Sequence, residues 1–133
     1  MKYLFKIFLL LNLISFSHAE IVRDWIAIAD DKNFVNTYLD INSIVYFQKE
    51  IVQAQYMVNL GLKPQTQVKK GKSAVSTIEI DCKNKTKYRV LNTLWFEENF
   101  SKGKYYEEKV SDPVWHSAPY DSSSKIIIKN LCQ

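Results

Sequence analysis

From residue 22 onward apolar and polar side chains alternate along the chain, the period of a strand whose two faces meet different surroundings. Segments 22–30 (with Trp25) and 34–40 read as strands separated by an Asp30-Asp31-Lys32-Asn33 turn. Asp40-Ile41-Asn42-Ser43 reads as a turn or one turn of helix, and 44–48 with 51–60 as a hairpin about Lys49-Glu50. In its second arm Val52, Ala54, Tyr56, Val58 and Leu60 share one face, while Gln53, Gln55 and Asn59 share the other. Met57 alone is out of place on the polar side. Segment 73–82 repeats the pattern, with Ile78, Ile80 and Cys82 inward and Thr77, Glu79 and Asp81 outward. Segments 87–97 and 104–110 complete a run of about six strands. The pattern predicts an antiparallel sheet with one dry face and one solvated face.

The strands around Cys82 suggest a register. Setting Cys82 opposite Tyr88 aligns Ile80 with Val90 and Asp81 with Arg89, so the apolar faces match and one opposite-charge pair forms. A slip of one residue would turn Arg89 into the core.

The tail changes period. After Pro113, Trp115 and Pro119, the run Ser122-Ser123-Ser124 supplies a helix cap, and Ile126, Ile127, Ile128 and Leu131 continue the helix. Ile128 and Cys132 are four apart and share a face, which brings Cys132 toward Cys82 on the apolar side of the sheet. The fold class is therefore α+β: an antiparallel sheet of about six strands with a C-terminal α-helix packed on one face and held by a disulfide.

The first residues belong to a different pattern. Lys2 and Lys6 precede the apolar run Ile7-Phe8-Leu9-Leu10-Leu11-Asn12-Leu13-Ile14-Ser15-Phe16, which falls short of the ~20 residues a membrane-spanning helix needs. Ser17-His18-Ala19 then offers small residues for cleavage before Glu20, so residues 1–19 read as a cleaved signal peptide and 20–133 as one exported domain. No Cys stands at the cleavage point to take a lipid. The expected location is periplasm, outer surface or medium, without a lipid anchor. An oxidising compartment turns the only two cysteines, Cys82 and Cys132, into an expected disulfide. The chain-entropy model values such a closure at roughly 4 kcal/mol.

Composition adds exclusions. The 133 residues are 47% hydrophobic and 24% charged with three Gly and three Pro, which excludes disorder and a multidomain enzyme. The formal charge of +4 drops to +2 without Lys2 and Lys6, too small an excess to point to nucleic acid. Gly71-Lys72-Ser73 mimics the end of a phosphate-binding loop, but Thr66 stands where that motif needs Gly. Asp40-x-Asn42 mimics the start of a calcium loop, but Val45 and Ile51 replace its Gly and Glu. His116 is the only histidine beyond the leader, so neither a zinc site nor a Ser-His-Asp arrangement can be assembled by spacing. Glu79 and Asp81 lie about 7 Å apart on one strand face, within the range of inverting glycosidase carboxylates. They occupy the polar half of an alternating strand, where solvated carboxylates are ordinary. No catalytic residue, metal or cofactor is expected.

Trp25, Tyr38-Leu39-Asp40-Ile41-Asn42-Ser43-Ile44, Ser76-x-x-Glu79-Ile80-Asp81-Cys82, Tyr88-Arg89, Trp115-x-x-x-Pro119 and Cys132 follow in order. That series resembles the surface-adhesin protein E family of Gram-negative bacteria. The resemblance implies a multi-stranded antiparallel sheet with a C-terminal helix tied to it by a disulfide. It also implies a bacterial exported protein that contacts host extracellular-matrix proteins or plasminogen. The alternative reading is a periplasmic inhibitor or small-ligand binder with an apolar pocket under the helix. For macromolecular binding the first-choice contact is the loop 61–72, which carries Lys63, Lys69, Lys70 and Lys72 and no acid, and would draw an anionic partner.

Overall fold

A computed structural model of the protein describes residues 22–31, 34–48, 50–60, 71–120 and 122–132. The elements are β1 (Trp25–Asp31), β2 (Phe34–Phe47), β3 (Ile51–Asn59), β4 (Ser73–Asp81), β5 (Lys87–Phe96), β6 (Tyr105–Lys109), β7 (His116–Ser117) and the helix α1 (Ser123–Leu131). Strands β1 to β6 form an antiparallel meander in sequence order. The two-residue β7 pairs with the start of β5, through Lys87↔Ser117 and Tyr88↔His116, beside the stretch that pairs with β6. The segment predicted as a leader lies outside the described residues.

Period two builds the main core. Val52 and Ala54 from β3, Ile78 and Ile80 from β4 and Leu39 from β2 meet Ile127, Ile128, Leu131 and Cys132 of the terminal segment. These side chains are buried, and each apolar side chain of this size removed from water contributes roughly 1.5–3 kcal/mol. Helix α1 begins at Ser122, whose Oγ accepts from the Lys125 N–H at 3.2 Å and donates to the Pro119 carbonyl at 2.8 Å. The Cys132 N–H donates to the Ile128 carbonyl at 2.9 Å and closes the last turn. Cys82 and Cys132 are bonded, with Cα atoms 5.2 Å apart, so the helix end is tied to the residue that follows β4.

The structure corrects three expectations. First, the second face of the sheet is not uniformly wet. Met57, Val75 and Phe96 are buried there, with Trp25, Tyr38 and Leu94 against them. The β5–β6 connection folds onto the sheet at this end: Phe100 donates its N–H to Asn59 Oδ1 at 2.8 Å, and its ring meets Tyr38 edge-on at 5.7 Å. Ser73 Oγ donates to the Glu98 carbonyl at 2.5 Å and accepts from the Ser101 N–H at 3.0 Å. Asn59 and Ser73 are thus buried polar residues with partners, and Met57 marks a small second core.

Second, Asp40-Ile41-Asn42-Ser43 is neither a turn between strands nor a helical turn. It is an irregularity inside one continuous strand, with Asp40 opposite Gln55 and Val45 already opposite Gln53. Side chains replace the lost ladder bonds. Asp40 Oδ1 accepts from the N–H groups of Asp24 and Asn42 at 3.0 and 3.1 Å. Ser43 Oγ donates to the Asp40 carbonyl and accepts from the Gln55 N–H, both at 2.7 Å. The buried Asp40 carboxyl is satisfied by this arrangement.

Third, β4 and β5 pair two residues away from the expected register. Ile80 faces Tyr88, Glu79 faces Arg89 and Asp81 faces Lys87. A shift of two preserves the faces but changes the ion pair, so Arg89 meets Glu79 rather than Asp81. Asp81 serves the turn instead: its Oδ1 accepts from the Lys83 and Asn84 N–H groups at 3.0 and 3.2 Å. With Asp81 capping the turn, Cys82 has no partner in β5, while its N–H donates to the Glu50 carbonyl at 2.6 Å.

Candidate functional site

The residues that flank segment 61–70 are well bonded. The Leu60 N–H donates to the Lys72 carbonyl at 2.7 Å, and the Lys72 N–H donates to the Phe96 carbonyl at 2.9 Å. Gly71 precedes this contact with φ +157°, and a β-carbon there would collide with the Phe96 carbonyl oxygen. Lys72 is exposed at the start of β4. Lys63, Lys69 and Lys70 lie outside the described residues.

The two carboxylates considered for hydrolysis are both occupied. Arg89 Nε donates to Glu79 Oε2 at 2.6 Å, and the guanidinium stacks 4.6 Å from the centroid of the Trp115 ring. Asp81 holds the turn that follows β4. His116 is exposed on β7, its ring 6.1 Å from that of Tyr88. Among the described residues no group of three or more His, Cys, Asp and Glu side chains could hold a metal ion. Under the helix, where the alternative reading needs an apolar pocket, Ile78, Ile80, Ile127 and Ile128 are almost fully buried in one cluster.

Folding also gathers lysines that spacing alone leaves apart. Lys85 in the β4–β5 turn and Lys125 and Lys129 of α1 line one cleft of about 260 Å³ with Ile128 and Cys132. The signal in the sequence was the four-residue spacing of Lys125 and Lys129, which predicts a shared helix face. Nothing in the spacing predicts that Lys85 joins them.

A meander of six antiparallel strands, stapled by a disulfide to one C-terminal helix, defines the class of protein. The family model of surface-adhesin protein E matches residues 25–133, and the chain belongs to that family. The selenomethionine form of Haemophilus influenzae protein E superposes with a TM-score of 0.61 at 21% identity, covering 85% of this chain and 88% of that one. Protein E from non-typeable Haemophilus influenzae gives a TM-score of 0.59 at 23% identity, covering 86% of this chain and 78% of that one. At these identities the likeness is one of fold. No curated protein matches the sequence.

Proposed function

We propose that the protein is an exported, non-enzymatic binding protein of adhesin type. In this reading residues 1–19 are removed on export, and residues 20–133 act as one domain in the periplasm, at the outer surface or in the medium. The partner is a host extracellular-matrix protein or plasminogen, and the contact is the loop 61–72 with Lys63, Lys69, Lys70 and Lys72. The family match across the sheet and helix is the observation that supports it. A loop carried on a hydrogen-bonded strand base suits recognition, and clustered ammonium groups attract anionic surfaces over a Debye length of about 8 Å at physiological salt.

The test compares the wild type with a variant in which the four loop lysines are changed to Gln. Binding to immobilised matrix proteins and to plasminogen is measured at low and high salt. The expected result is salt-sensitive binding by the wild type and loss of it in the variant. Equal binding by both, or none by either, removes the loop from the account. Fractionation with protease shaving of intact cells tests the location.

A further inference from the structure

We infer that the cleft between α1 and the β4–β5 turn is a second binding site, specific for a sulfated or phosphorylated polysaccharide. Three of its five lining residues are lysines: Lys85 on the turn, Lys125 and Lys129 on the helix. Among the described residues no carboxylate pairs with any of the three. Among the described residues that line the cleft every charged group is a cation, which suits an anionic ligand rather than a metal ion or a basic peptide.

One feature of the helix runs against its own stability. Lys125 and Lys129 are four residues apart, where like charges destabilise a helix. Lys125 also sits in the first turn, which holds no acid and where the backbone N–H groups already concentrate positive charge. Segment 123–131 contains no acidic residue at all. Lys129, in the last turn, suits the helix dipole, so the unfavourable features are the place of Lys125 and its four-residue spacing from Lys129; such breaches of local preference concentrate at functional sites.

The two walls are fixed relative to each other. Cys82 immediately precedes the turn, and Cys132, which lines the cleft, ends the helix; the bond between them joins the walls. The turn is rigid in its own right. The N–H groups of Thr86 and Lys87 donate to the Asn84 carbonyl at 2.6 and 2.9 Å, and Thr86 Oγ1 donates to Asn84 Oδ1 at 2.9 Å. On the far side the Ala118 N–H donates to the Thr86 carbonyl at 2.7 Å. Lysines held on rigid walls lose less freedom on binding than lysines on a mobile loop.

A polysaccharide fits better than a membrane. Membrane seating needs exposed apolar side chains beside the cations. Here the apolar residues that line the cleft with the lysines, Ile128 and Cys132, are buried. The lysines are also spread over a cleft larger than one anion, so several anionic groups on one chain engage them together.

The inference is independent of the loop reading, and its test separates the two. Heparin is titrated into the full-length exported protein at low and high salt, with neutral dextran and phosphatidylglycerol vesicles as comparisons. The expected result is salt-sensitive heparin binding, at least about tenfold weaker in K85Q/K125Q/K129Q and retained in K85R/K125R/K129R and in the loop variant. Thermal unfolding checks the fold of each variant. In the wild type, heparin should move the amide resonances of residues 83–87 and 125–132. Undiminished heparin binding by the folded Gln variant overturns the inference, as do binding to vesicles but not heparin, no binding at all, or resonance shifts confined to other residues.

Discussion

Tyr56 lies on the sheet face that α1 covers, and its phenol is pushed above its ordinary value of 10.0. Burial is the main cause; a hydrogen bond with Ser76 opposes it and the neighbouring Tyr88 adds to it. The folded state therefore keeps this proton to higher pH than the unfolded chain does. The resulting stability is complete below about pH 10 and is lost as pH rises through the folded value. Chemical denaturation at about pH 8 and about pH 11 should show a steeper loss for the wild type than for Tyr56→Phe, which has no phenol to ionise. Gly71 carries a different constraint. Its positive φ and the Phe96 carbonyl beside it leave no room for a side chain, so Gly71→Ala should cost more than ~1 kcal/mol in thermal unfolding. A neutral outcome would mean that the base of the loop shifts freely.

Elements were legible in the sequence wherever apolar and polar residues alternate, even where the second face also carries a small core. Alternation gave β3 and β4, and the serine run gave the cap of α1 at Ser122. Elements were misread where a polar side chain bonds to the backbone. Asp40 and Ser43 carry the residues of a turn, yet their oxygens replace ladder bonds and let β2 run on to Phe47. Face matching sets Asp81 opposite Arg89, but Asp81 caps the next turn and the register is shifted by two. A double-mutant cycle checks this pairing. Glu79→Ala with Arg89→Ala should show coupling of roughly 0.5–1 kcal/mol, and Asp81→Ala with Arg89→Ala close to none. At the β5–β6 connection, Phe100 and Ser101 hold left-handed backbone angles, φ 57° and 54°, anchored by Asn59 and Ser73. Asn59→Ala leaves the Phe100 N–H without this acceptor and should cost about 1–3 kcal/mol, with faster amide exchange in 98–102. Unchanged exchange there would show that Ser73 suffices.

For the whole molecule, the disulfide is the covalent long-range tie and the one most readable from sequence, because two cysteines in an exported chain leave one pairing. The basic cleft was not readable, because the turn and helix that form it meet only through that tie and the packing of α1. Replacing either Cys by Ser should cost roughly 2–5 kcal/mol and release the helix first, seen as helical signal lost ahead of sheet signal on heating. Coincident loss of both, at the wild-type temperature, would count against a staple.

The position of that tie along the chain sets an order of events. Strands β1 to β6 each pair with a sequence neighbour, contacts that can form as the chain emerges. Cys82 appears fifty residues before Cys132, so during synthesis or translocation it waits as a single thiol while β5, β6 and β7 arrive. The helix, last to arrive, brings the partner thiol and is the part that turns a provisional sheet into a locked one.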